Sequence, residues 1–96
     1  DADGAIAKLT IAAQNGPHFA EPLEVWGEAL MRKNDFAGAA AKFKAADKFA
    51  PKWGRNHLRL GQALMKLGRS DDARKEFAIA RTLDLSTADK AELATR

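Results

Sequence analysis

The sequence repeats itself at an interval of 34 residues, and this internal repeat is the feature that most constrains the fold. The segment WGEALMRKNDFAGAAAKFKAA begins at Trp26, and LGQALMKLGRSDDARKEFAIA begins at Leu60. Both keep Gly, Ala, Leu and Met in one order, followed by an isolated Ala, a Phe and another Ala. The same interval counted back from Pro51 reaches Pro17, which indicates the second half of an earlier unit. A constant period of this length predicts a solenoid, in which each unit buries its apolar face against a copy of itself.

Each unit contains two helical patterns separated by a short break. Apolar residues recur at helical spacing in EPLEVWGEALMRK and again in FAGAAAKFKAADKFA. Asn34 and Gly68 occupy equivalent places in the break, and both residue types readily adopt the left-handed backbone that ends a helix. Ser70 is the expected N-cap of the helix that follows. We therefore predict an all-α fold of about six helices, over residues 3–15, 21–33, 36–49, 54–67, 71–83 and 87–95.

The composition agrees with a small helical protein and narrows its partners. The chain has 96 residues, of which 46% are hydrophobic and 30% charged, and Ala greatly outnumbers Val and Ile. Because there is no cysteine, disulfides and thiolate metal sites are excluded. No apolar run is long enough to span a bilayer, and the net charge of +3 is only mildly basic, so neither a membrane nor a nucleic acid is an expected partner. The compartment is not specified, and the cytoplasm is favoured.

The residues that the two units share resemble the pattern of the tetratricopeptide repeat family. That family carries a Trp and a Leu-Gly pair in its first helix, and a small residue, an aromatic residue, an Ala and a Pro in its second. The positions that carry the resemblance are Trp26, Gly27, Ala39, Phe43, Ala46, Pro51, Leu60, Gly61, Ala73, Phe77 and Ala80. His57 replaces an early aromatic residue and Leu85 a final Pro, without breaking the alternation of small and large side chains.

The resemblance implies stacked antiparallel helix pairs in a single domain, an α-solenoid of tetratricopeptide type. The implied units are the second half of a partial repeat at 1–19, one repeat at 20–53, a second at 54–87 and a C-terminal capping helix at 88–96. We expect weak self-association through the first helix, since Ile11 on that helix has no assured neighbour within the chain.

The sequence contains no catalytic constellation. His18 and His57 are not placed at a metal-ligand spacing, and the glycines form no phosphate-binding loop. We therefore expect a non-enzymatic protein with no cofactor. The resemblance implies a protein–protein interaction module, a scaffold or adaptor that binds a peptide or partner protein in a concave groove. The alternative is a structural or self-associating segment of a longer protein whose activity lies in another domain.

The resemblance also implies which residues line that groove, because the first helix of each pair faces it. The implied residues are Glu21, Glu24, Glu28, Met31, Arg32, Arg55, Leu58, Arg59, Gln62, Met65 and Lys66. The final helix adds Asp89 and Glu92. Glu24 and Glu28 stand where chaperone-binding members grip a carboxylate with Lys and Asn, so that clamp is not expected here.

The charges of the implied groove alternate in sign from helix to helix, and two interpretations compete. In the first, an acidic row on one helix pairs with a basic row on the next, and each exposed pair contributes about 0–1 kcal/mol. The acidic row is Glu21, Glu24 and Glu28, and the basic row is Arg55, Arg59 and Lys66. In the second, the two rows select a ligand of mixed charge. The first interpretation is favoured, because facing rows of opposite charge require no ligand.

Overall fold

The computed structural model describes residues 20–83, 85 and 87–94, and this part of the chain forms five α-helices and no strand. The helices are α1 (Ala20–Arg32), α2 (Phe36–Phe49), α3 (Gly54–Lys66), α4 (Ser70–Arg81) and α5 (Thr87–Ala94). The all-α prediction is confirmed, and each of the five helices lies within two residues of its predicted bounds. The predicted helix over 3–15, and the self-association expected of it, lie outside the described residues.

The helices pack as two pairs that stack on each other. The first pair is α1 with α2, the second pair is α3 with α4, and the two meet chiefly where α2 packs against α3. The turns within the pairs span only residues 33–35 and 67–69, so the two helices of each pair run antiparallel. Asn34 has φ 63° and Gly68 has φ 77°, which confirms the left-handed helix ends. The short helix α5 contacts both α3 and α4 and covers the end of the second pair.

The two second helices begin in different ways. Asp35 caps α2, since its Oδ1 accepts a hydrogen bond of 2.9 Å from the backbone N–H of Gly38. The prediction of Ser70 as the N-cap of α4 was wrong, because Ser70 is the first helical residue and Arg69 holds the cap position without a side-chain hydrogen bond. The reason is in the backbone: the N–H of Ala73 already donates to the carbonyl of Arg69.

One continuous core runs through both pairs and reaches the last helix. It contains Ala39, Ala40, Phe43, Leu58, Leu60, Ala63, Leu64, Ala73, Phe77, Ala80 and Leu93. Of the positions that carry the family resemblance, only Trp26 is partly buried and only Pro51 is exposed; the rest are buried. Most of these positions therefore serve packing, whereas the repeated Met65 is exposed.

Each pair closes around a glycine and an aromatic ring. The ring of Phe43 lies on Gly27, and the ring of Phe77 lies on Gly61 in the same manner. A Cβ at position 61 would stand 2.5 Å from Cε1 of Phe77, which is too close for any side chain. The repeated glycine is therefore required by the ring that packs on it.

Candidate functional site

The first helices of the units form one face of the molecule, which we call the first-helix face. Along it α1 contacts α3, and α3 contacts α5. A cleft of about 380 Å³ opens on this face and is lined by Met31, Arg59, Gln62, Met65, Lys66 and Glu92. We call it the methionine cleft. Five of its six lining residues belong to the predicted groove, and the sixth, Glu92, was assigned to the final helix of the same surface.

The two methionines form the apolar part of the cleft. Met31, near the end of α1, is partly buried and packs against the core. Met65, at the equivalent place in α3, leaves 43% of its surface exposed. A flexible thioether side chain adapts to differently shaped apolar groups, so this pair forms a soft contact surface.

Polar groups of α3 and α5 fix one side of the cleft. Arg59 Nη1 donates a hydrogen bond of 3.0 Å to Gln62 Oε1, and Gln62 Nε2 donates one of 3.0 Å to Glu92 Oε1. Arg59 Nη2 also lies 3.7 Å from Asp89 Oδ1. These contacts tie α5 to α3 and hold the guanidinium in place.

Lys66 differs from Arg59, the other cation that lines the cleft. It is exposed at the last turn of α3, and it has no hydrogen bond or ion pair with any of the residues that the structure describes. Its ammonium group therefore remains available to a negatively charged group that enters the cleft.

Two of the three residues of the acidic row of α1, Glu24 and Glu28, lie near a cation of the protein. Arg55 Nε lies 3.6 Å from Glu24 Oε1, and Arg55 Nη2 lies 3.6 Å from Glu28 Oε2. This is part of the arrangement that the first interpretation of the charge rows expected, since Arg59 lies instead against Asp89 and no contact among the described residues pairs Glu21 or Lys66 with the opposite row. Because both contacts are long and Arg55 is half exposed, the pairing is weak.

Glu24 is the most perturbed carboxyl group of the site. Only 2% of the residue is exposed, and burial, a hydrogen bond with Glu28 and the repulsion between the two carboxyl groups together raise its pKa to about 8. The charges of Arg55 and Arg59 act in the opposite direction but do not outweigh burial. At neutral pH Glu24 is therefore largely protonated, and the acidic row carries less negative charge than its sequence indicates.

The remaining predicted groove residues lie away from the cleft. Leu58 is fully buried in the core and offers no surface to a ligand. Glu21 and Arg32, at the two ends of α1, are exposed and do not line the cleft. The sequence placed all of these on the correct helices but did not determine which side chains the neighbouring helices cover.

Sequence reasoning missed a buried polar contact in the first turn of α3. Asn56 is completely buried, and its Nδ2 donates a hydrogen bond of 2.8 Å to the carbonyl oxygen of Phe43, which joins α3 to α2. An amide between the apolar positions of a helix was the available signal, since a buried Asn needs a partner.

The described residues offer no metal site and no membrane span. No group of three or more metal-ligating side chains comes together within 20–83, 85 and 87–94. Over the same residues, no helix has the length and apolarity needed to cross a bilayer.

The comparisons with known proteins agree with this architecture. A family model described as a tetratricopeptide repeat matches residues 30–91. Two solved structures of MamA AMB-1, in forms C2221 and P212121, are similar to the chain with a TM-score of 0.81 each. They are 28% and 27% identical to it and cover 86% and 91% of the chain, which spans only 49% of the length of either. No curated protein sequence matches. The shared helix pairs and the family model together show that the chain belongs to the tetratricopeptide repeat family, a family of protein-interaction modules.

Proposed function

We propose that the chain binds a protein or peptide segment on its first-helix face, as a scaffold or adaptor, with the methionine cleft as the centre of the contact. The observation that carries this proposal is the composition of the cleft, in which two methionines adjoin an unpaired lysine. An exposed apolar surface beside a free charge is typical of a binding surface.

The chemistry of the cleft indicates the kind of segment that fits. Met31 and Met65 favour an apolar side chain, and Lys66 favours a carboxylate next to it. The hydrogen-bonded row Arg59–Gln62–Glu92 adds a positively charged guanidinium and a negatively charged carboxylate to the cleft. The bound segment is therefore of mixed charge. The acidic row of α1 contributes little selectivity, because Arg55 partly neutralises it and Glu24 retains its proton.

Selection from a displayed random peptide library on the immobilised protein tests the proposal. We expect the enriched peptides to carry an apolar residue close to Asp or Glu. Their affinity should fall as salt is raised, because exposed charges are screened over about 8 Å at physiological ionic strength.

Charge reversal at the cleft then locates the binding. Lys66→Glu should weaken an enriched peptide about tenfold, since it removes one exposed charge pair and adds a repulsion. Lys75→Glu is the matched control, because Lys75 is exposed on α4, outside the cleft. Peptides that bind both variants equally, or a library that yields no enriched peptide, would contradict the proposal.

A further inference from the structure

The junction between the two helix pairs contains a buried histidine. His57 lies in the first turn of α3, and its side chain is only 5% exposed. Its Nδ1 lies 2.8 Å from Glu76 Oε1 on α4, and its Nε2 lies 2.7 Å from the carbonyl oxygen of Pro51. Nε2 also lies 3.1 Å from Asp47 Oδ1 on α2. One imidazole therefore contacts α2, the turn before α3, and α4.

The partners of the ring determine its protonation state. A backbone carbonyl can only accept a hydrogen bond, so Nε2 must carry a proton to contact Pro51 at 2.7 Å. An ionised carboxylate likewise only accepts, so Nδ1 must carry a proton to contact Glu76 at 2.8 Å. A neutral imidazole has a single N–H and would place a lone pair against one of these oxygens. The geometry fits the doubly protonated imidazolium.

The surrounding charges favour the same state. Asp47 faces the ring from α2 and Glu76 faces it from α4. Burial lowers the pKa of His57, but the hydrogen bonds to Glu76 and Pro51 and the charges of Asp47 and Glu76 together outweigh it and raise the pKa above 6.5. Other charged groups lie near Glu76, around a cavity of about 230 Å³ that Glu76 also lines. They are Lys44 of α2, and Arg69, Asp72 and Lys75 at the start of α4.

We propose that His57 is a proton-dependent lock between the two helix pairs: its imidazolium ties α3 to Pro51 and Asp47 of the preceding segment and to Glu76 of α4, and loss of its proton loosens the junction. The proposal does not depend on the methionine cleft, because none of these residues lines it.

The direction of the pH effect follows from the protonation of the ring. Because the folded state holds the proton more tightly than the unfolded state, the lock stabilises fully below pH 6.5 and is lost as the pH rises through the folded pKa of His57. The junction is therefore tight in mildly acidic solution and loosens in alkaline solution.

Nuclear magnetic resonance of the imidazole tests the protonation directly. The chain has two histidines, so His18→Gln leaves His57 as the sole histidine. We expect the ring of His57 to titrate above 6.5, and its two nitrogens to show the shifts of an imidazolium on the acidic side of that titration. A titration at or below 6.5, or a neutral tautomer in mildly acidic solution, overturns the proposal.

Removing the acceptors tests the geometry. Glu76→Gln and Asp47→Asn should each lower the pKa of His57. Asp71→Asn is the matched control, because Asp71 lies on the same helix as Glu76 but pairs with Arg74 on the exposed surface. An unchanged His57 pKa in both junction variants overturns the proposed contacts.

The stability consequence is measured in a Glu24→Gln background, which removes the carboxyl group whose pKa is also raised. There the free energy of unfolding should fall as the pH rises above 6.5 and through the folded pKa of His57, and His57→Gln should abolish most of that fall. Where His57→Gln does not fold, Glu76→Gln should still reduce the fall. A pH dependence that neither variant alters shows that His57 does not lock the junction.

Discussion

At the residue scale, the acidic side chains of α1 show how burial separates residues that look alike in sequence. Glu24 and Glu28 are one helical turn apart, and the sequence gives no reason to distinguish them. In the structure the side chain of Glu24 is 3% exposed and that of Glu28 is 23% exposed, although both lie 3.6 Å from Arg55. The periodicity predicted the face of the helix, but the depth of cover over each residue depends on the rotation of the neighbouring helix, which no local pattern contains.

The buried carboxyl group of Glu24 should make stability fall as the pH rises. Because its folded pKa of about 8 lies above the ordinary value of 4.5, its contribution is complete below pH 4.5 and is lost as the pH rises through about 8. Glu24→Gln has a neutral side chain of similar shape at every pH. The free energy of unfolding of this variant should therefore increase relative to that of the wild type as the pH rises from 4.5 to about 8. Urea denaturation across that range measures the difference.

The control for this prediction is Glu21→Gln, which removes one carboxylate from an exposed position of the same helix. A stability difference between Glu24→Gln and the wild type that stays constant from pH 4.5 to 8 would show that Glu24 does not bind the extra proton.

At the scale of helices, the residues that end a helix were predicted more accurately from the sequence than the residues that cap the start of one. Asn34 and Gly68 both have positive φ as expected. Because few residue types tolerate a left-handed backbone, the presence of Asn or Gly at such a position identifies it in the sequence. The start of α4 was predicted one residue late, since Ser70 and Arg69 compete for the cap and the backbone hydrogen bonds decide between them. The residue type alone does not identify a cap. Asp35 caps α2, whereas Asp71 and Asp72 lie within the first turn of α4.

The closeness of the helices within a pair should depend on Gly61. Adding a Cβ there gains helix propensity of about 1 kcal/mol but forces the ring of Phe77 to move, and overpacking of a core costs about 1–3 kcal/mol. We expect Gly61→Ala to lower the free energy of unfolding by about 1 kcal/mol and Gly61→Leu by about 3 kcal/mol. Chemical denaturation measures both.

Two further variants make the Gly61 prediction specific to the ring contact. Gly68→Asn replaces a glycine with open space around it by the residue that holds the equivalent position 34, so it should change stability little. Phe77→Leu should reduce the penalty of Gly61→Ala when the two are combined. If the two penalties simply add, the ring does not limit the approach of α3 and α4.

At the scale of the whole molecule, the period of 34 residues was sufficient to predict stacked helix pairs, but not what holds one pair to the next. The ring of His57 meets Pro51 through a backbone oxygen and reaches Asp47 and Glu76 on two other helices. Asn56, the preceding residue, bonds to the backbone of Phe43 on α2. These contacts come from tertiary packing and involve backbone atoms, so residue identity and spacing alone do not reveal them. The methionine cleft was more accessible to sequence reasoning, because its main residues repeat at equivalent places in α1 and α3.

The cooperativity between the two helix pairs should depend on Asn56, because in a solenoid each unit is stabilised mainly by its interface with the next. Asn56→Ala removes the hydrogen bond to Phe43 and should cost about 1–3 kcal/mol. Asn56→Asp should cost more, since it also places a carboxylate in a fully buried position.

Two spectroscopic signals measure the coupling between the pairs. The only tryptophans, Trp26 and Trp53, both pack in the cluster formed by Ala20, Leu23 and Ala46, so their fluorescence reports the first pair while circular dichroism reports all the helices. In the wild type the two signals should change together on heating, and in Asn56→Asp the fluorescence transition should separate from the circular dichroism transition. Asn56→Ala provides the milder test where the Asp variant does not fold. Transitions that stay coincident while both midpoints fall would show that the pairs unfold as one unit without Asn56, and that the remaining α2–α3 packing is enough to couple them.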